Sequence, residues 1–478
     1  MNQENYTLLC DYYELTMANG YFELGRKDEI AYFDVFFRTI PDGGGFAIFA
    51  GLEQLVSYVR NLRFTEEDIR FLRTKGTFSE QFLDYLRSFR FSGDIYAMRE
   101  GTPIFPGEPI MTVRAPIIEA QIIETFVLLT VNLQSLIATK ANRIVRAAQG
   151  RAVAEFGSRR AQGAQGAILG ARAAFIGGCG STACTISDRE FHIPASGTMA
   201  HSWVQMFEGE YEAFTAYCKL YPNNATLLVD TYNVLESGIP NAIRVFREQG
   251  ITRGGIRIDS GDIAYLSKKA RKMLDEAGLP ECRIIASNSL DEFIIRDLIS
   301  QGAKVDAFGV GERLITAKSD PVFGCVYKLA AIEDADGNII PKIKVSENNE
   351  KITNPSYKKP YRIIDKKTGQ ALADYLTLAD EVVDETQPLE LFDPVSTWKK
   401  KTVTDYTARP LHEPIFLSGE CVYELPDIDT IKQYCAREVA SLWDEVTRFE
   451  NPHRYYVDLS VELWNLKRRM LENAGKSK

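Results

Sequence analysis

The sequence predicts an α/β protein: an irregular α/β barrel holding the candidate site, preceded by an N-terminal α/β sandwich domain and followed by a small C-terminal domain. Three observations predict the barrel. Four short apolar runs each end on polar or glycine residues: Leu227, Leu228 and Val229 on Asp230; Ile256, Arg257 and Ile258 on Asp259; Ile284, Ile285 and Ala286 on Ser287 and Asn288; and Val305 to Phe308 on Gly309. Successive tips lie 29, 28 and 22 residues apart, the length of a strand, a helix and two loops. Helix-like stretches at 241–249, 263–277 and 290–300 fill the intervals, with Gly250, Gly278 and Gly302 as stop signals. In a βα barrel, as in an open α/β sheet, ligands sit at the carboxyl ends of the strands.

The chain's 478 residues exceed one ordinary core. We place an N-terminal α+β domain at 1–132, the barrel at 133–343 and a C-terminal domain at 344–478. Residues 6–24 carry apolar positions at helical spacing, 31–38 read as a strand, and an apolar helix at 117–148 leads into the barrel. The charged stretch 344–359 reads as an exposed linker. Beyond it, short β pieces give way to a helical end at 427–473.

A net charge of −9 and a pI near 5.3 argue against a broad nucleic-acid surface. The most apolar stretch, 122–138, is broken by Glu124, Asn132 and Gln134, so it reads as a buried helix and not as a membrane span. The polar N-terminus lacks a signal-peptide pattern, which places the chain in the cytoplasm. Eight cysteines without a C-x-x-C pair read as reduced thiols. Four scattered histidines lack zinc-ligand spacing.

Each strand tip offers a different chemistry. Glu155 to Arg160 sets Arg159 and Arg160 beside glycines: an anion-gripping fork, or equally a solvated pair on a flexible loop. The run Gly177 to Thr182 matches no nucleotide-loop spacing and reads as a tight turn with Ser181 or Thr182 capping a helix. His201 follows a crowd of small residues. A lone histidine is by itself an ordinary structural residue, but this one falls between the arginine tip and the Asp230 tip, where the barrel register expects another strand end. Asp230 and Asp259 suit a metal-pyrophosphate complex, since Mg²⁺ takes one or two carboxylates plus substrate phosphates; one of Asp259 and Asp262 caps the helix that follows. Arg257 interrupts an apolar strand and must face the mouth or find a partner, because an unpaired buried charge is costly. Gly309 and Gly311 form a turn whose N–H groups can cradle phosphate.

In order along the chain, Asp11 to Met17, Glu155 to Ala161, Gly197 to Ser202, Leu228 to Tyr232, Arg257 to Asp262, Ser287-Asn288, Gly309 to Gly311 and Gly324 to Leu329 closely resemble the nicotinate phosphoribosyltransferases. The resemblance implies a type II phosphoribosyltransferase fold and a cytoplasmic homodimer with shared active sites. It also implies an ATP-coupled reaction joining nicotinate to 5-phosphoribosyl 1-pyrophosphate in NAD salvage, with Mg²⁺. By motif matching His201 would be the phosphohistidine. Tyr13, Phe156, Thr198 and Arg257 would hold nicotinate, Tyr13 reaching the partner subunit's barrel mouth. Arg159, Asp230, Asp259, Asn288, Gly309 and Gly311 would serve the ribose, phosphates and Mg²⁺. Glu312 departs from the pattern: many relatives place a phosphate-contacting threonine there, and a carboxylate repels phosphate unless it is neutralised or turned away. Ser356 stands where the family usually has glycine after proline. A nicotinamide or quinolinate phosphoribosyltransferase is the alternative enzyme, and a non-catalytic nucleotide-binding paralogue the alternative from another class.

Overall fold

The computed structural model describes residues 5–348 and 351–476, so Asn349 and Glu350 of the expected linker and the first four residues of the polar N-terminus lie outside the described residues. Contacts divide the chain into two compact units, Ile137–Pro321 and the combination of Met1–Leu136 with Val322–Lys478.

The first of these holds the row of strand tips. Six parallel strands pair in the order Ser181–Thr182, Ala152–Glu155, Ala307–Val310, Arg283–Asn288, Gly255–Ile258 and Thr226–Leu228. Helices Ile239–Glu248, Ile263–Glu276 and Glu292–Ser300 occupy the predicted intervals, and Asp262 caps the second of them by accepting from the Tyr265 N–H at 3.0 Å. Beyond Ser181–Thr182, Ala195 forms a further parallel bridge with Thr182, and among the described residues no ladder joins that side to the Thr226 strand, so the sheet is not closed by hydrogen bonds, as befits an irregular barrel.

Ser181 and Thr182 form one of these edge strands and do not cap a helix. The next helix starts at Thr185, and the Thr182 hydroxyl is committed to Glu155 at 2.7 Å. The last strand runs on through Gly309 to Val310, because it pairs residue for residue with Ala152–Glu155.

In the other unit the boundary differs from the sequence reading. Val326–Glu333, assigned to the barrel by the cut at 343, pairs antiparallel with Ile30–Phe36 in a seven-stranded sheet. Strand Glu413–Leu417 joins the same sheet beside Asp94–Ala97, so the two ends of the chain share one core and residues 344–478 do not stand apart. Buried Arg362 locks this arrangement: it grips Asp374 through two bonds of 2.8 Å and donates to the Pro103 carbonyl at 2.8 Å.

Residues 353–358 of the expected exposed linker are largely buried. Lys358 pairs with Asp34 at 2.7 Å and donates to the Asn354, Pro355 and Ser356 carbonyls. Ser356 holds φ 72, a conformation that glycine adopts without strain.

The helical lead-in is Ile117–Ile122 followed by Glu124–Ala147. This stretch is long and apolar enough to cross a membrane, but its most apolar window is 72% buried inside the protein, as in a core helix.

Candidate active site

Arg257 and Asp259 lie two residues apart at the end of one strand and therefore share a face, as do Ile285 and Ser287 on the neighbouring strand, where Ile285 is paired with Arg257. The register accounts for a compact network. Arg257 Nε donates to Ser287 Oγ at 2.9 Å, Nη1 to Thr198 Oγ1 at 2.8 Å and to the Met199 carbonyl at 3.2 Å, and Nη2 to Asp259 Oδ1 at 3.3 Å. The Arg257 side chain is 12% exposed, and its charge is met as the sequence requires. Four of the five guanidinium N–H directions are thus in use and the free one is on Nη2, so a carboxylate gripped by both prongs must displace at least one of these bonds. Burial works to raise the Asp259 carboxyl, but Ser287, Arg257 and the charge of His201 outweigh it and hold the group below the usual carboxylate range.

His201 opens the short helix His201–Gln205. Its Nδ1 lies 3.1 Å from the Thr231 hydroxyl, and its Nε2 lies 3.9 Å from Asp230 Oδ1 and 4.0 Å from Asp259 Oδ2. Asp230 is held by the Asp259 N–H at 3.1 Å and the Ser260 hydroxyl at 2.6 Å, both on Oδ2. Its Oδ1 is buried, accepts no hydrogen bond and faces the imidazole. Buried polar atoms are normally paired, so this orphan oxygen, with Asp259 beside it, fits a cation that completes its shell with substrate phosphates. Among the described residues no group of three or more His, Cys, Asp or Glu side chains could hold a metal alone.

Glu155 is fully buried at its strand end, where it accepts from Thr182 and from the Gly157 N–H. It fixes the loop that carries exposed Arg159 and Arg160. Phe156 packs its ring against Gly309: a Cβ at 309 would stand 2.5 Å from it, and one at 311 would stand 3.1 Å from the Phe156 carbonyl oxygen. The glycines of this strand end are therefore needed for close packing as well as for any ligand. Asn288 ends its strand at φ 148 with its side chain exposed. Glu312 is paired with Lys318 at 2.7 Å, whereas its neighbour Arg313 is bound to Asp291.

Tyr13 belongs to the other unit, on helix Tyr12–Glu23, where it is 45% exposed and bonded to Glu124. Beneath it Glu14 is fully buried, and burial pushes its carboxyl up to about 7, with the Thr125 hydroxyl opposing and the charges of Glu124 and Asp11 adding to the rise. A carboxyl raised in the folded state keeps its proton while the unfolded chain loses it. Stability from this group is therefore present below pH 4.5 and is lost as pH rises to about 7. Glu14→Gln should stabilise the protein at pH 8 by up to about 3 kcal/mol and leave it unchanged at pH 4, as thermal unfolding at the two pH values would show.

This unit also has a cavity of about 780 Å³ lined by Arg38, Lys328, Lys358, Lys467 and Asp34, among others. Lys358 and Lys467 spend their charge internally, on Asp34 and on Asn354 at 2.8 Å. The sequence motifs other than Tyr13 and the Gly324 to Leu329 run converge on the sheet tips instead. The contributions of Thr231, Ser260, Ser287 and Lys318 were not assigned from the sequence. The first three lie beside singled-out residues, but Lys318 carries no local signal.

Family models for the nicotinate phosphoribosyltransferase N-terminal domain, the nicotinate phosphoribosyltransferase family and its C-terminal domain match residues 8–132, 152–378 and 357–467. Nicotinate phosphoribosyltransferase of Bacillus subtilis (strain 168) is 46% identical over 466 residues, covering 97% of this chain and 95% of its own. The chain belongs to the nicotinate phosphoribosyltransferase family. It is an enzyme with the activity that names the family, which makes nicotinate and 5-phosphoribosyl 1-pyrophosphate its substrates. The relative from Dictyostelium discoideum is 34% identical, covering 96% of this chain and 87% of its own. The solved structure of human nicotinic acid phosphoribosyltransferase superposes with a TM-score of 0.84 at 28% identity, covering 97% of this chain and all of that one. Nicotinate-nucleotide pyrophosphorylase from Pyrococcus furiosus shares the fold, with a TM-score of 0.71 at 23% identity over 92% of this chain and 97% of its own.

Proposed function

We propose that the enzyme couples ATP hydrolysis to nicotinate mononucleotide formation through a phosphorylated His201, acting as a cytoplasmic homodimer in NAD salvage. The observation that carries the reading is the contiguous network of Arg257, Thr198, Asp259, Asp230 and His201. It sets a carboxylate receptor beside a polar histidine with two carboxylates. Arg257 and Thr198 take the nicotinate carboxylate, and Tyr13 from the partner subunit stacks on the pyridine ring. The ring nitrogen attacks C1 of the ribose. The bond from C1 to the pyrophosphate oxygen breaks, and pyrophosphate leaves with the electron pair. Arg159 and the strand end at Gly309 to Gly311 hold the phosphates, and Asn288 meets the ribose.

Asp230 and Asp259 would hold Mg²⁺, which when bound supplies positive charge to the phosphate oxygens. The Thr231 hydroxyl orients the His201 ring, leaving Nε2 open to accept a phosphoryl group. Turnover of nicotinate, nicotinamide and quinolinate measured side by side tests the substrate. A strong preference for nicotinate is expected, because neither prong of Arg257 gains a charged partner from nicotinamide. Turnover of nicotinamide alone would overturn the reading.

A further inference from the structure

Glu312 follows Gly311 directly and opens the helix Glu312–Ile315, next in the chain to the strand end proposed to meet phosphate. Its environment is strongly cationic: Lys318 bonds it at 2.7 Å, Arg160 from the arginine loop and Arg313 add their charges, and its carboxyl lies below the usual range as a result. Ala317 is buried and holds φ 42 just past the end of helix Glu312–Ile315, the left-handed position common where a helix stops, and Lys318 follows it, six residues after Glu312. Arg313 cannot do the same work, since its guanidinium is bound to Asp291.

We infer that Lys318 is a positioning residue for phosphoribosyl pyrophosphate: it neutralises Glu312 and so makes the strand end at Gly309 to Gly311 acceptable to a phosphate group. The inference rests on the phosphate role proposed for that strand end. Lys318 acts through Glu312 and not as a ligand of the substrate. Its effect therefore exists only while Glu312 carries a charge, and salt weakens it because the pair is half exposed.

A double-mutant cycle read by calorimetric binding of 5-phosphoribosyl 1-pyrophosphate with Mg²⁺ tests this. Lys318→Ala should weaken binding about tenfold at low salt, and much less at high salt. In the Glu312→Gln background the same change should have under about a threefold effect. Lys318→Arg should bind within about threefold of the wild type, since it restores the charge. The KM for nicotinate should stay constant throughout. Equal weakening in both backgrounds would make Lys318 a direct phosphate ligand and overturn the inference, as would no effect of Lys318→Ala in the native background. Binding is read without turnover, so a wild type that binds the pyrophosphate substrate but does not convert nicotinate sinks the proposed function alone. A wild type that binds none sinks both.

Discussion

Arg257→Ala is expected to lower kcat/KM for nicotinate by about 10³-fold, near 4 kcal/mol, while the protein stays folded. Two losses add up. The nicotinate carboxylate would lose the charged partner proposed for it, and the side chains Arg257 now organises, Thr198, Ser287 and Asp259, lose their common donor. Asp259 would then rise toward its ordinary carboxyl range, since burial would no longer be opposed by the guanidinium. Arg257→Lys keeps the charge but cannot make the same four bonds, so it should recover only about tenfold of the loss. Steady-state kinetics with nicotinate varied, alongside a melting curve for each variant, check the result. A loss smaller than tenfold in Arg257→Ala would mean that the carboxylate binds elsewhere.

The second large effect is expected at the histidine. Incubation with γ-labelled ATP should leave an acid-labile, base-stable phosphate on the wild-type protein, and His201→Ala should reduce it to background, a loss of about 10² or more. The geometry explains the dependence on one side chain. Thr231 lies 3.1 Å from Nδ1, and the opposite nitrogen faces Asp230 and Asp259 at about 4 Å, without a direct hydrogen bond to either. The phosphoramidate proposed there would be a high-energy species whose hydrolysis would draw the transfer toward product. Labelling that persists in His201→Ala would place the phosphate on another residue.

Much of this was legible before any coordinates. Apolar strands ending on Asp230, Asp259, Ser287 and Gly309 at one strand-helix spacing define a parallel sheet, because alternation of strand and helix leaves few other topologies. Arg257 within an apolar strand announced a partnered charge, and the partners are there. Harder to read were the edges. The boundary after Pro321 and the burial of 353–358 depend on pairings between residues hundreds of positions apart, such as Phe33 with Leu329 and Lys358 with Asp34. Local propensity carries no record of such partners.

The sequence by itself determined the parallel α/β architecture, the set of residues at its tips and, through eight ordered motifs, the family. Only the tertiary structure decided which of those residues touch. It showed that four of the Arg257 donors are already engaged, that one Asp230 oxygen is buried without a partner, and that Glu312 is answered by Lys318 and not by its neighbour Arg313. The physical reason is that strand order and register set distances between side chains, which spacing along the chain does not encode.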